Sequence, residues 1–341
     1  MSVSPHRASI FAHPELFGLK IYYSHASIWG ATGIRPRALG TSVKKWHCVL
    51  SVPGDNMYLR EQTAAAKAVA DRLGVDLQVL NAQMDSLAQS EQLLSLVQAP
   101  AGQRPDAILL EPVSASGLRR VAEAAIAAGI GWMVSNAQVE YLADLRKVAK
   151  SPVFLVSQDH AEVGRIQARQ IGALLPEGGS VLYLRGPAMS FIASRRFDGL
   201  DSAKPKNVEV KSLKIQGSTA ENAYSAVCSW LNLATGRLEG TQMIASQNVD
   251  FISGARKAFE NVPEPQRSKW LALPCTCAGI QSQVKPLVDK GEMRAAVITS
   301  LTMDKALEIL VRALTQGTQP QEQTFVEARS YPSLEDLAKR R

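Results

Sequence analysis

The chain of 341 residues has little of what metal, redox and nucleophilic sites require. It contains four cysteines and five histidines, and His6, His13 and His25 lie in the first 45 residues. Cys275 and Cys277 have no further Cys or His at ligand spacing, so core packing is favoured over a metal or redox pair. The GxSxG, P-loop and GxGxxG motifs are also missing. We therefore predict no catalytic residues, no metal and no cofactor.

Long apolar runs are absent as well, and none approaches the ~18 consecutive apolar residues of a transmembrane helix. Residues 1–45 lack the basic start, apolar core and cleavage site of a secretory signal, and Pro and Gly interrupt every candidate helix there. We interpret 1–45 as a poorly ordered extension that is dispensable for folding, and on these residues a cytoplasmic location stays open. The cysteines show no disulfide pattern and leave the compartment undecided.

An extended basic face is not expected, although the formal net charge is +7. Residues 1–47 carry six basic residues and one acidic residue, which accounts for +5 of that total. The three basic residues at 339–341 account for slightly more than the remaining +2, so the body of the chain is near neutral. A near-neutral body argues against nucleic acid as a partner.

What the sequence does contain is an alternation of short apolar runs with helix-length stretches from Trp46 to about Val326. The runs are 48–50, 77–80, 107–110, 132–134, 153–156, 181–184, 243–245, 270–273 and 295–298. Runs this short and continuous are typical of parallel strands buried on both faces. The predicted helices are 60–73, 86–98, 116–128, 161–175, 191–203, 219–235, 250–260, 280–290 and 302–316. The pattern predicts a series of βαβ units, whose ligands bind beyond the carboxyl ends of the strands.

Polar side chains follow several of these runs where each run ends. Glu111, Asn136 and Asp159 follow the third, fourth and fifth runs, and Asn248 follows the run at 243–245. A carboxylate at the end of a buried strand needs a partner, water or a ligand. Asp159 is also placed to cap the next helix. Together, polar ends on successive strands indicate a binding site more strongly than any one of them does.

Two further segments offer side chains with more than one interpretation. In the loop 51–58, Asp55 or Asn56 either caps the following helix or faces a ligand, and Tyr58 faces the core equally well. Arg195 and Arg196 lie on a helix after Gly186-Pro187, and a guanidinium near a cleft can hold hydroxyls or carboxylates. One of these two arginines is expected to be a solvated surface charge.

Several motifs in order and spacing resemble the periplasmic sugar-binding protein family typified by ribose-binding protein, which shares its fold with the effector domains of LacI-type repressors. The segments that carry the resemblance are Glu162–Ala168, Gly179–Pro187, Arg196–Gly199, Leu110–Val113, Gln247-Asn248 with Gly254-Ala255, and Gly291–Val297. It covers about residues 46–328. The resemblance implies an α/β fold of two doubly wound parallel-sheet lobes joined by a three-segment hinge, the type I periplasmic binding protein fold.

The resemblance also implies a ligand-binding set between the lobes. Its members are Ser51, Asp55, Met57, Tyr58, Glu111, Asn136, Asp159, Arg196, Asn248 and Thr299. The chain departs from the family pattern at Ala137, Val249 and Ala278, where the family usually has Arg, Asp and Asp. Because charged groups that clamp sugar hydroxyls are missing at three places, an ordinary pentose or hexose is put in doubt.

From this resemblance we expect one lobe at 46–157 with 277–299, a second at 158–276 with 300–330, and a tail at 331–341. The expected function is capture of a small polar ligand, such as a sugar or polyol, for ABC-type uptake. The alternative is a ligand-sensing protein of a signalling or regulatory system. Expected partners are an ABC permease or a membrane sensor, and the chain is expected to be a monomer in the periplasm or cell envelope. An enzyme is the least favoured class.

Overall fold

The computed structural model describes residues 44–233 and 240–339. The predicted extension 1–45 therefore lies outside the described residues, apart from Lys44 and Lys45. The described strands are β1 (His47–Val52), β2 (Asp76–Asn81), β3 (Ala107–Leu110), β4 (Gly131–Ser135), β5 (Val153–Gln158), β6 (Gly179–Arg185), β7 (Val208–Lys214), β8 (Met243–Ser246), β9 (Cys275–Ile280), β10 (Ala295–Thr299), β11 (Gln323–Val326) and β12 (Ala328–Tyr331).

Helices connect most of these strands. They are α1 (Met57–Leu73), α2 (Ser86–Gln98), α3 (Arg119–Ala127), α4 (Leu142–Val148), α5 (His160–Leu174), α6 (Phe191–Ala203), α7 (Ala220–Leu231), α8 (Val249–Glu260), α9 (Gln266–Ala272), α10 (Gln281–Asp289), α11 (Met303–Gln316) and α12 (Leu334–Lys339). A short 3₁₀ helix, Ala101–Gln103, lies before β3. None of the described helices is long and apolar enough to cross a membrane.

The strands form two six-stranded sheets, in the orders β11-β5-β4-β3-β1-β2 and β12-β10-β9-β8-β6-β7. All pairings are parallel except that of β10 with β12. Central strands such as β4 and β10 are buried at every residue, as their continuous apolar runs predict. Each sheet has an apolar core on both faces. The predicted two-lobed doubly wound fold is confirmed.

Several elements differ from the sequence prediction, since α4, β11 and β12 were not predicted. Two further differences have a clear physical reason. The apolar run 270–273 lies mostly in α9, where Trp270 packs against Phe259 with ring centroids 4.8 Å apart, and the strand follows it as β9. Strand β7 was not predicted, because it is an edge strand whose residues are mostly partly or fully exposed and it has no continuous apolar run. Apolar content alone therefore confuses a short buried helix with a strand and misses an edge strand.

The lobe boundaries also differ from the prediction. The segment 277–299, which we expected in the first lobe, contains most of β9 and all of β10, and both strands pair within the second sheet. The chain returns to the first lobe after β10, since α11 packs its buried residues into the core beneath the first sheet and β11 pairs with β5. Parallel pairing of β10 with β9 keeps this segment in the second lobe.

Three crossovers therefore join the lobes. They lie between β5 and α5, between β10 and α11, and at Glu327 between β11 and β12. Hydrogen bonds tie them together: Gln158 Nε2 donates to the Ser300 carbonyl at 3.2 Å, and the Ser300 N–H donates to the Glu327 carbonyl at 3.2 Å. These three segments form the hinge.

The predicted tail at 331–341 is in part a packed element. Residues Leu334–Lys339 form α12, which contacts α5 and buries Leu337 to 3% exposure. Burial of the Leu337 side chain holds α12 against α5, although the composition of the segment predicted an exposed tail. The last two residues lie outside the described part.

Candidate functional site

A cavity of about 330 Å³ lies where the carboxyl ends of the two sheets face each other. Both lobes and the hinge line it, through Tyr58, Glu111 and Asn136 from the first lobe, Arg196, Gln247, Asn248, Asp250 and Gln283 from the second, and Gln158, His160 and Thr299 at or next to the crossovers. This is the position at which open parallel sheets bind ligands. We treat this cavity, called here the interlobe cavity, as the candidate binding site.

A larger cavity of about 530 Å³ lies beside it, between α4, β5, β11 and the start of α6. Asp159, His160 and Arg195 line it together with residues of the first lobe. Most of its lining comes from one lobe, so it does not offer the two-sided enclosure of the interlobe cavity.

Asn136 organises the first-lobe side of the interlobe cavity. It follows β4 with a φ of 51°, a left-handed conformation that Asn tolerates better than most residues. Its Nδ2 donates to Tyr58 Oη at 2.6 Å, and its Oδ1 accepts from the Gln158 N–H at 3.2 Å. Gln62, buried on α1, donates to the same tyrosine oxygen and to Thr302 Oγ1. The chain from Gln62 to Gln158 fixes the orientation of Asn136 and Tyr58.

Glu111 provides a carboxylate to this side of the cavity. Burial raises the pKa of the Glu111 carboxyl to about 7, although a hydrogen bond from Asn136 Nδ2 at 3.4 Å opposes the rise. Desolvation disfavours the charged form of an acid, and one weak hydrogen bond compensates for it only in part. Glu111 therefore changes its charge near neutral pH.

Arg196 provides the cation of the second lobe. Its Nη1 donates to the Gln247 carbonyl and its Nη2 donates to Gln158 Oε1 at 3.0 Å, which links α6 to the hinge. Its Nε is buried without a hydrogen-bond partner among the described residues. A buried N–H donor without a partner costs free energy unless a ligand or a water molecule accepts its hydrogen bond. Arg196 is thus oriented by two oxygens and keeps one donor free.

His160 lies at the start of α5, in the linings of both cavities. It is 4% exposed, and neither of its ring nitrogens has a hydrogen-bond partner among the residues that the structure describes. Burial and the neighbouring Arg196 and Arg195 lower the pKa of His160 to about 3, so the ring is neutral. A neutral imidazole offers one donor and one acceptor to a ligand.

Seven of the ten predicted site residues line the interlobe cavity: Met57, Tyr58, Glu111, Asn136, Arg196, Asn248 and Thr299. Two of these have structural roles as well, since Tyr58 accepts two hydrogen bonds and Asn248 Oδ1 caps α8 through the Phe251 N–H at 2.9 Å. Both interpretations of the polar strand ends, capping and ligand contact, therefore apply at Asn248.

Three predicted residues lie outside the interlobe cavity. Ser51 is fully buried and accepts a hydrogen bond from Gln89 Nε2 at 3.0 Å. Asp55 is exposed and pairs with Arg60 at 2.6 Å, while Asn56 rather than Asp55 caps α1. Asp159 caps α5 through the Glu162 N–H at 2.9 Å and lines the larger cavity. For these three residues the geometry supports a structural role and not contact with a ligand in the interlobe cavity.

Among the lining side chains that sequence reasoning missed are Gln158, His160, Gln247 and Asp250. Each belongs to a strand-end segment that had been recognised, but the neighbouring residue was chosen. Asp250 matters most, because it restores a carboxylate near the position where Val249 departs from the family pattern. The sequence signal that could have found them is the end of each strand together with the two or three residues on either side of it.

Within the described ranges, no group of three or more His, Cys, Asp or Glu residues is arranged to hold a metal ion. Cys275 and Cys277 are both buried, and the Cys277 thiol contacts Met293 Sδ at 3.5 Å. These cysteines pack in the second core, in agreement with the interpretation that the sequence favoured.

The fold and the interlobe cavity define a two-lobed binding protein, and comparison with known proteins agrees. Residues 48–318 match the model of the family described as periplasmic binding protein domain. The chain therefore belongs to this family, whose members are periplasmic or extracellular solute-binding proteins. No curated protein sequence matches the chain significantly.

Solved structures share the fold at low sequence identity. The arabinose-binding component of an ABC transporter from Shewanella sp. ANA-3 has a TM-score of 0.69 at 19% identity, covering 86% of this chain and 94% of its own. A solute-binding protein from Bacillus halodurans C-125 with bound myo-inositol has a TM-score of 0.70 at 16% identity, covering 87% and 97%. The fructose-binding periplasmic domain of a hybrid two-component system has a TM-score of 0.68 at 15% identity, covering 86% and 94%.

Proposed function

We propose that this protein captures one small carbohydrate-like ligand, a sugar, a polyol or a related compound, in the interlobe cavity. The observation that carries the proposal is the lining of that cavity by polar side chains from both lobes at the carboxyl ends of both sheets. Hydroxyl-rich ligands need many donors and acceptors at fixed positions, and Asn136, Arg196 and Gln158 are each fixed by hydrogen bonds. Contacts from two lobes also favour the closed arrangement of the hinge.

We further propose that the bound ligand is delivered to an ABC-type permease, with the protein acting as a periplasmic monomer. Membership of the periplasmic binding protein domain family supports this role. So do the structural relatives that are components of ABC transporters. We propose binding without catalysis, because the lining groups are held by neighbouring amides and carbonyls rather than arranged as a nucleophile with its base.

A signalling role is the second candidate. The similarity to the periplasmic domain of a two-component system favours it, since a lobed ligand-binding domain can report occupancy to a membrane sensor. The neighbouring genes distinguish the two roles, because a permease with an ATPase indicates uptake and a sensor kinase indicates signalling.

A thermal-shift screen over sugars, polyols and amino compounds tests the proposed ligand class. A ligand that binds the folded state alone raises the melting temperature, by an amount that grows with its concentration relative to its Kd. We expect stabilisation by members of the carbohydrate-like group, and confirmation of each by calorimetry. A screen in which only amino acids or peptides stabilise the protein would contradict the proposal.

A further inference from the structure

The charged groups of the interlobe cavity do not balance. Two carboxylates, Glu111 and Asp250, and one guanidinium, Arg196, line it, which leaves an excess of one negative charge when both acids are ionised. His160 does not restore the balance, because burial and the nearby arginines keep its ring neutral. No lysine is among the lining residues.

The carboxylates are also not paired with protein cations. Neither Glu111 nor Asp250 forms an ion pair with any residue in the described ranges. The guanidinium of Arg196 instead donates to the Gln247 carbonyl and to Gln158 Oε1, both of which are neutral acceptors. The guanidinium of Arg196 is therefore bound to neutral oxygens at the hinge. The two carboxylates can each accept a hydrogen bond from a ligand.

Glu111 is the acid for which this matters most. It lines the cavity directly after β3, and its carboxylate accepts a hydrogen bond from the amide of Asn136 at 3.4 Å. Asp250 lies in the first turn of α8 and is more exposed, so it adds negative potential at the opposite wall. A carboxylate withdrawn from water without a cation is unfavourable, and a ligand cation placed against it removes that cost.

We propose that the ligand of the interlobe cavity carries a protonated amino group together with its hydroxyls, as an amino sugar or amino polyol does, and that this group pairs with Glu111. This inference rests on the proposed function and makes it more specific. An ammonium group supplies three donors and a positive charge, whereas a hydroxyl supplies one donor and no charge. The hydroxyls of the same ligand use Arg196 Nε, Asn248 and the neutral His160 ring.

Calorimetry with matched probes tests the inference. The probes are sorbitol, myo-inositol and D-glucose, each compared with its amino-deoxy counterpart at a pH where the amine is protonated. We expect the amino member of at least one pair to bind at least about 10-fold more tightly, since a hydrogen bond between two charged groups is stronger than one from a neutral hydroxyl. The Glu111→Gln variant should abolish that preference, because it should weaken binding of the amino member at least about 10-fold more than binding of the neutral member.

Asp55→Asn is the matched control, because Asp55 is an exposed carboxylate that lies outside the cavity and pairs with Arg60. It should leave both affinities unchanged. A second measurement needs no variant: calorimetry of the wild-type protein in buffers of different ionisation enthalpy counts the protons released on binding. An ammonium ligand should release protons near neutral pH as Glu111 ionises beside it, whereas a neutral ligand should release none.

The two proposals fail in different ways. If neutral members bind as tightly as their amino counterparts, or if Glu111→Gln affects both alike, the inference is overturned and carbohydrate binding stands. If no member of any pair binds, the proposed function is contradicted along with the inference.

Discussion

At the scale of single residues, Arg196 connects the site to the hinge. Its guanidinium donates to the Gln247 carbonyl on the second lobe and to Gln158 at the first crossover, and Gln158 in turn donates to the Ser300 carbonyl at the second crossover. Burial lowers the pKa of Arg196, but an arginine stays charged at any pH of interest. The side chain of Arg196 thus connects the lining of the interlobe cavity to two of the crossovers.

Replacing Arg196 with Ala should weaken binding of a ligand found in the screen about 10- to 150-fold, because a guanidinium hydrogen bond in a partly dry cleft is worth about 1.5–3 kcal/mol. Arg195 is exposed and lines the larger cavity, so Arg195→Ala should change the affinity little. Calorimetry on both variants measures the difference. Equal effects, or a larger effect at Arg195, would contradict the placement of α6 and of the binding site described above.

Glu111 should give the free protein a pH-dependent stability. Its pKa in the folded state, about 7, exceeds its ordinary value of 4.5, so the folded state holds the proton more tightly than the unfolded chain does. The free energy of unfolding should therefore fall as the pH rises from 4.5 to 7 and then level off, with a contribution of about 1–3 kcal/mol from this carboxyl. Tyr58 and Asn136 face the same carboxyl, and neither titrates in this range.

Urea unfolding of the wild type and Glu111→Gln across this range measures the effect, and the variant should lack this part of the pH dependence. Parallel curves for the two proteins would contradict it, and would place Glu111 in contact with water.

Residue identity was the hardest level to predict from sequence. Glu111 and Asn136 were found because each directly follows a buried strand that apolar content reveals. Asp55 and Asp159 were carried over from the family resemblance in place of Asn56 and Gln158, although which neighbour faces the cleft depends on backbone angles at the strand end. Those angles, such as the φ of 51° at Asn136, follow from tertiary hydrogen bonds that a single sequence does not display.

At the scale of elements, the close crossing of α5 and α6 positions Arg196. Gly164 on α5 lies under α6, where an added Cβ would overlap the Arg196 carbonyl oxygen and lie 2.7 Å from the Leu200 nitrogen. Gly199 on α6 faces α5 in the same way, against the Ala161 backbone. These glycines belong to the segments Glu162–Ala168 and Arg196–Gly199 that carry the family resemblance. Their physical role is to let two helix backbones approach closely.

Gly164→Ala and Gly199→Ala should each destabilise the protein by about 1–3 kcal/mol, because overpacking at backbone contact outweighs the ~1 kcal/mol that Ala gains over Gly in a helix. Ligand affinity should fall as well, since the displaced helix carries Arg196. Urea unfolding with calorimetry measures both effects. Gly102→Ala is the control, because an added Cβ there meets nothing within 4 Å. Stability equal to that of the control would mean that α5 and α6 are farther apart than described.

Most elements could be predicted from the sequence, because amphipathic helices and buried strands have distinct periods. The predicted helix 86–98 coincides with α2, and 191–203 coincides with α6. Helix α4 and the strands β11 and β12 were not predicted. The clearest failures were β7, whose edge position removes the apolar run, and the run 270–273, whose helix is short and buried. In both, burial set by neighbouring elements overrode the local pattern.

At the scale of the whole molecule, three crossovers allow the lobes to move relative to each other about a hydrogen-bonded hinge. The sequence and its resemblance predicted two lobes and three crossovers, and the structure agrees. The predicted order of the returns, first lobe and then second, was wrong, because β10 is an apolar strand that either sheet could bury. Strand pairing, which is a long-range property, assigns it to the second sheet.

The central claim is that a ligand held by both lobes stabilises their closed arrangement. A ligand that contacts only one lobe cannot shift an equilibrium between open and closed states, whereas a ligand that contacts both must shift it. Across the cleft, Ser282 on α10 donates to the Glu61 carboxylate on α1, a contact that opening would break.

Small-angle X-ray scattering of the protein, with and without the tightest ligand of the calorimetric panel, tests this claim most directly. The radius of gyration should decrease when the ligand is added, and the decrease should be absent in Arg196→Ala at the same ligand concentration. A radius that stays unchanged while calorimetry shows the cavity to be saturated would contradict binding between closing lobes.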